Sequence, residues 1–236
     1  MPMSELKQLQ KLFLGMGSII LILSLFLFYF SEKIIVFIYD MLPEKVDIFM
    51  IAPYDVFLGT IKISLVCAIL LSLPILFVFI YKYISPALLS KEKKLIINVF
   101  VPSLLLSYGG IVFAYKILLP LTLKTLYTYY SLSFVEHTIS FTALLDYILL
   151  ILVGVVFIFN TPIVIWNLDS FGILTVNQMT AYRKYVIVIF LAISAILTPP
   201  DVFSMFLMFV PLYMLFEGTI TLKRLKIRNA IGDKSV

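Results

Sequence analysis

The stretch Val56–Tyr81, VFLGTIKISLVCAILLSLPILFVFIY, runs 26 residues with a single charge, Lys62. A helix rises about 1.5 Å per residue, so about 20 apolar residues cross a hydrocarbon layer about 30 Å thick. This stretch exceeds that length. It carries β-branched and aromatic residues throughout and has no polar face at either period, so it reads as a buried or lipid-facing helix. Working outward, five further apolar stretches follow the same rule: 13–30, 95–115, 143–166, 185–198 and 202–222. The chain of 236 residues is 62% hydrophobic and 13% charged. A soluble domain carries about 25% charged residues. The expected fold is an all-α integral membrane protein, a single domain over 1–236 with six spans at 13–30, 56–81, 95–115, 143–166, 185–198 and 202–222. No segment between the spans is long enough for a core of its own. The first stretch lacks a small-residue cleavage site and reads as a retained anchor.

Charge sets the expected orientation. With alternating helices, thirteen Lys and Arg fall on the side of the N-terminus, four fall on the other, and Lys62 lies in a span. The positive-inside rule then puts both termini in the cytoplasm. The net charge of +5 is a topology signal rather than a nucleic-acid footprint. The basic tail Lys223–Arg228 is also suited to anionic lipid.

Local signals fill in the connections. Ser4 is placed to cap a short surface helix in which Leu6, Leu9 and Phe13 recur at helical spacing. The segment 31–55 reads as a long outer loop whose Ile34–Tyr39 packs at the interface. A second outer loop, 120–142, carries an interfacial cluster of Tyr127, Tyr129 and Tyr130. The fifth stretch is bracketed by Arg183-Lys184 and by Pro199-Pro200, which leaves 14 residues, or about 21 Å. Asp201 stands at the tip of the turn into the sixth. The pair is either a re-entrant hairpin or a crossing over which the bilayer thins. Pro74, Pro102 and Pro162 predict kinked helices and a concave bundle.

No catalytic or metal chemistry is legible. One cysteine, Cys67, and one histidine, His137, supply no ligand set and no disulfide. No phosphate loop, dinucleotide turn or nucleophile elbow occurs. The polar residues inside apolar stretches are few, and such residues commonly mark function. Asn160, two residues before Pro162, reads as an interhelical hydrogen bond or as a contact for a partner helix. Glu217 reads as a snorkelling or paired carboxylate. Lys62 reaches toward the outer headgroups or a carboxylate.

Several strings resemble a known family. Tyr83-Ile-Ser-Pro-Ala-Leu-Leu-Ser-Lys-Glu-Lys-Lys94 resembles the first cytoplasmic loop of TatC, the multispanning subunit of the twin-arginine protein translocase, F-x-x-P-A-L-x-x-x-E-[RK]-[RK]. Leu197-Thr-Pro-Pro-Asp-Val-Phe-Ser204 resembles its last outer turn, and Pro211-Leu-Tyr-Met-Leu-Phe-Glu217 its sixth helix. Phe113-Ala-Tyr115, Leu119-Pro120, Gly172-Ile-Leu-Thr and Arg183-Lys-Tyr-Val-Ile fit intervening positions in order. The resemblance implies a multi-pass protein of the inner (plasma) membrane, or of an organellar membrane. It implies a receptor for the twin-arginine signal peptides of folded cargo, working with TatA- and TatB-type single-span subunits, self-associating in a larger complex and driven by the proton gradient. It implies no cofactor.

By position in that pattern, Glu92 meets the signal's arginines, with Tyr83, Pro86, Lys93 and Lys94 around it. The family's N-terminal pattern H-L-x-E-L-R-x-R-L falls on Glu5–Phe13. Gln8 stands where the second carboxylate is expected, and Gln10 where an arginine is expected. Glu5, three residues before Gln8 on the same helical face, is the candidate substitute. Asn160 stands at an acidic or glutamine position of the fourth helix. These departures imply weaker or altered recognition. The alternatives are a small-solute secondary transporter or a membrane scaffold. A transporter of that kind favours paired inverted repeats, and none is visible. An intramembrane enzyme would need its carboxylates together, and Asp201, Glu217 and Glu92 fall at different depths.

Overall fold

The computed structural model describes residues 3–40, 47–87, 90–130, 138–170, 172–198 and 202–232. The described chain is helical except for two three-residue strands and short connections. It divides into two compact units, Met1–Leu104 with Ser133–Leu149, and Leu105–Leu132 with Leu150–Val236.

The first unit is built on helix α1 (Met3–Tyr29) packed against α3 (Asp55–Ile84). Phe28 meets Phe57 edge to face at 6.3 Å, near the end of α1 and the start of α3. Gly15, in the middle of α1, lies against the ring of Phe79 near the end of α3. The two helices therefore run antiparallel. Between them, α2 (Ser31–Tyr39) packs on α3 and buries Ile38. Strand β1 (Asp47–Phe49) follows α2, and α3 then opens at Asp55. The Asp55 carboxylate accepts from the backbone N–H of Ile51 and of Ala52, both at 2.9 Å, which locks the entry turn. After a 3₁₀ turn at Ser85–Ala87 the chain reverses into α4 (Ser90–Phe113). Strand β1 pairs in parallel with β2 (Thr138–Ser140), Ile48 opposite Ile139. That ladder ties the connection after α2 to the start of α6 (Phe141–Phe159). Gly59 makes the fit: a Cβ there would stand 2.6 Å from Leu145 and from Phe141.

The second unit begins in the last turns of α4. A π segment, Ala114–Leu118, passes into α5 (Leu119–Tyr130). Pro120 explains the widened turn. It has no N–H to give the carbonyl four residues back, and its ring would strike that carbonyl. The helix instead lets the Leu119 N–H reach Ala114 O, five residues back. A helix therefore occupies Leu119–Tyr130, where the sequence had predicted an outer loop. The remaining elements are α7 (Thr161–Ser170), α8 (Val176–Ala181), α9 (Arg183–Leu197) and α10 (Val202–Gly232). Met208, Leu212, Phe216 and Ile220 form the buried stripe of α10, four residues apart. Phe216 meets Phe190 of α9 edge to face at 5.9 Å. Leu197 of α9 fills the space left by Gly154 of α6. Gly172 ends α7 with φ of 71°, a conformation that costs glycine nothing. Thr175 then starts α8 through a reciprocal capping box with Gln178.

Among the described residues five segments are long and apolar enough to cross a membrane: Lys7–Tyr29, Asp55–Ile84, Ile96–Thr125, Phe141–Asp169 and Val202–Lys226. The expected sixth, α9, has 15 residues, about 22 Å of helix, short of the hydrocarbon thickness. Three boundaries differ from expectation. The first helix starts at Met3, ahead of Ser4, and runs unbroken to Tyr29. Pro162 opens α7 at its second residue, a first-turn position where no helical donor is lost. The sixth apolar stretch continues as helix through the basic tail to Gly232.

The packing at Gly59 yields a prediction. Leu145 and Phe141 are themselves buried, so neither can retreat from an added side chain. Gly59→Val should lose about 1–3 kcal/mol in detergent unfolding. Gly17→Val, with nothing within 4 Å of an added Cβ, should unfold like the parent.

Candidate functional site

The antiparallel packing of α1 on α3 decides which residues share an end of the first unit. From the Gly15–Phe79 contact, Gln8 lies seven residues back along α1, about 10 Å. Ser85 lies six residues on along α3, about 9 Å. The first turns of α1, the Ser85–Ala87 turn and the first turn of α4 thus come to one end. Gln8 and Gln10 are exposed there, as are Lys7, Lys11 and Pro86. Tyr83 and Lys93 are half-buried. Glu5 lies in the first turn of α1, and Glu92 and Lys94 in the first turns of α4. The side chains of Glu5, Glu92 and Lys94 fall outside the described residues.

Beneath this end, α3 and α4 leave an apolar cavity of about 260 Å³. Phe77, Val78 and Tyr81 line it from α3, and Ile96, Ile97, Phe100 and Val101 from α4. The end therefore offers polar acceptors and cations at its rim and apolar aromatic surface below. An extended peptide with a polar head and an apolar run matches that order of chemistry.

Among the described residues three ion pairs hold charges of the apolar segments. Lys62 Nζ donates to both carboxylate oxygens of Asp146, at 2.7 and 2.9 Å, joining α3 to α6. Both side chains are about half exposed, 46% and 54%. They lie within seven residues of the starts of their helices, so they can reach the headgroup level. Arg183 at the start of α9 pairs with Glu217 of α10. Lys223 of α10 is buried, its side chain 7% exposed. It donates to Asp169 Oδ2 at 2.6 Å and to the carbonyl of Trp166 at 2.5 Å, and lies 4.7 Å from the centre of the Trp166 ring. The sequence named Lys62 and Glu217 but not their partners. Asp169 and Trp166 were not singled out as site residues, and Lys223 was named only as the start of the basic tail, although a tryptophan at a span's end is an interface signal.

Asn160 stands at the junction of α6 and α7. Its Nδ2 donates to Ser107 Oγ at 2.8 Å and to the Val156 carbonyl at 2.7 Å. Of the two roles the sequence left open, the interhelical hydrogen bond is therefore present. The outer turn Pro199, Pro200 and Asp201 lies outside the described residues. Among the described residues no group of His, Cys, Asp and Glu could hold a metal ion.

Comparison with known proteins places this geometry in context. Residues 4–211 match the family model described as Sec-independent protein translocase protein (TatC). The chain is similar to the TatC protein of Aquifex aeolicus, 33% identical over 213 residues, 86% of this chain and 85% of that one. It is also similar to the TatC protein of Akkermansia muciniphila, 36% identical over 178 residues, 72% of this chain and 49% of that longer one. The fold superimposes on a crystal structure of the twin-arginine translocase receptor TatC with a TM-score of 0.75 and 32% identity, covering 92% of this chain and 98% of that one. With a family model spanning nearly the whole chain, the same order of apolar helices and a matching fold, the chain belongs to the TatC family of Sec-independent protein translocase components.

Proposed function

We propose that the chain is the receptor for twin-arginine signal peptides and the organising subunit of a translocase that moves folded proteins across the inner membrane. The observation that carries the reading is the convergence, at one end of the first unit, of Gln8, the Ser85–Ala87 turn and the start of α4. These are the segments that resemble the family's signal-binding pattern. A crystal structure similar to this chain is described as a translocase receptor, which supports the same reading.

The chemistry follows from the guanidinium fork. Two carboxylate oxygens hold an arginine through two parallel hydrogen bonds, whereas an ammonium offers one compact charge. Glu92 is the proposed acceptor for the first arginine, with Tyr83, Pro86, Lys93 and Lys94 shaping its surroundings. Gln8 accepts from the second through its amide oxygen, with Gln10 beside it and Glu5 supplying charge one turn away. An exposed pair contributes about 0–1 kcal/mol, so selectivity needs several acceptors acting together. The apolar cavity between α3 and α4 takes the hydrophobic run that follows the arginines. On this reading both termini are cytoplasmic, as the lysine and arginine distribution indicates. TatA- and TatB-type single-span subunits then join the complex, and the proton gradient drives transport. Asn160, Glu217 and Lys62, with Pro162 beside Asn160, are the positions available to partner helices.

Photocrosslinkers at Glu92 and, separately, at Gln8 test the reading in membranes. Twin-arginine peptide should label from both sites, and its twin-lysine version should label from neither. Equal labelling by the two peptides would overturn the receptor assignment. A second measurement isolates the missing carboxylate. Gln8→Glu should tighten binding of a twin-arginine peptide by up to about fivefold at low salt, and the gain should shrink as salt is raised. No gain at any salt would remove Gln8 from the binding surface.

A further inference from the structure

Where α10 leaves its apolar run, the second unit gathers the cations Lys223, Arg224, Lys226 and Arg228, of which Lys223 alone pairs with a carboxylate among the described residues. Two candidate spans end together here, Phe141–Asp169 and Val202–Lys226, because Lys223 is tied to Asp169 and to the Trp166 carbonyl. Trp166 fixes the depth. Its ring lies 4.7 Å from Lys223 Nζ and 5.3 Å from Lys226 Nζ, and tryptophan favours the headgroup level. This places residues just beyond Lys223 on α10 at the depth expected for lipid headgroups.

Arg224 projects there from the face of α10 that meets α8, and Arg228 follows it one turn on. They are four residues apart, about 6 Å along the axis, on one side of the helix. Arg224 donates to the hydroxyl of Thr180 at 2.7 Å, which holds its guanidinium toward α8. Both arginines are exposed. Among the described residues neither forms an ion pair with a carboxylate; the pairs present join Lys62 to Asp146, Arg183 to Glu217 and Lys223 to Asp169. Two like charges one turn apart on a helix repel, so an outside anion favours this arrangement. Guanidinium groups bind phosphate through paired hydrogen bonds.

We infer that Arg224 and Arg228, with Thr180, form a binding site for the phosphate of an anionic phospholipid. The headgroup depth set by Trp166 selects a lipid over a soluble anion. Lys226, on the Trp166 side of the same helix, adds charge to the surrounding collar. The site secures the joint of α7, α8 and α10 to the membrane surface. It does not depend on the signal-peptide reading.

Native mass spectrometry of the delipidated full chain tests this, with phosphatidylglycerol and phosphatidylcholine of matched acyl chains added in turn. The parent should retain phosphatidylglycerol in preference. One arginine near an anionic surface is worth about fivefold in binding, so the double variant R224Q/R228Q should lose roughly 25-fold. Arg228→Gln alone, which leaves the Thr180 contact in place, should lose about fivefold and guards against a folding defect. Lys33→Gln, in α2 of the first unit, should retain lipid as the parent does. Equal retention of the two lipids, or no loss in the double variant, would overturn the site. Displacement of the lipid by millimolar glycerol phosphate would make it a soluble-anion site and overturn the lipid assignment.

Discussion

In hydrocarbon no water is available to a backbone amide or carbonyl, so every such group must find its partner inside the protein. The long helices of this chain follow from that constraint. Several of its hydroxyl side chains obey it too. Ser64 donates to the Thr60 carbonyl at 2.6 Å, Thr122 to the Leu118 carbonyl at 2.8 Å and Thr198 to the Ser194 carbonyl at 2.8 Å. Each polar group is thereby closed within its own helix, and the helix can face apolar surroundings. Prolines are tolerated where the same accounting can be met. Pro162 sits in a first turn, where its missing donor has no partner to lose. Pro120 is accommodated by the π segment before it, which redirects the Leu119 N–H to Ala114.

The same demand, applied to charge, makes the described ion pairs. An isolated charge in an apolar span is expensive, and a partner lowers that expense. Lys62 and Asp146 join α3 to α6 in the first unit. Arg183 and Glu217 join α9 to α10, and Lys223 and Asp169 join α10 to α7, in the second. These links fix which helices are neighbours more specifically than apolar contact does, since lipid tails and leucine are almost equivalent. Removing Asp169 would leave Lys223 buried and without its carboxylate, which costs more than the pair contributes.

The sequence made the apolar spans legible because length and hydropathy decide them without tertiary information. It made the exceptional residues legible for a related reason: Lys62, Asn160 and Glu217 stand out against an apolar background. Their partners did not stand out. Asp146 lies 84 positions from Lys62, and Asp169 54 positions from Lys223. Nothing local marks either as a partner. The β1–β2 ladder was invisible because three-residue strands carry no usable period. The helix at Leu119–Tyr130 was missed because Pro120 reads as a stop unless the wider turn before it is known. At the candidate site, the family pattern named the residues, and the antiparallel register of α1 and α3 brings their segments to one end. Sequence supplied the identities; only packing supplied the convergence.

That convergence bears on how a rim with few carboxylates could select arginine. Lys7, Lys11, Gln8 and Gln10 are exposed in the first turns of α1, so the exposed side chains described there are neutral or positive. On the receptor reading these lysines offset the attraction of the carboxylates proposed at Glu5 and Glu92, so charge alone is a weak source of recognition. An arginine approaching such a face gains only where its planar fork meets oriented acceptors, and there a guanidinium loses less hydration than an ammonium. Replacing a carboxylate by Gln8 weakens the attraction for both side chains but leaves an acceptor that rewards geometry. A site of this kind discriminates by combining repulsion of the wrong ligand with a directional contact for the right one. On the receptor reading, the glutamine at position 8 trades affinity for selectivity, and the apolar cavity between α3 and α4 supplies the binding strength that the rim gives up.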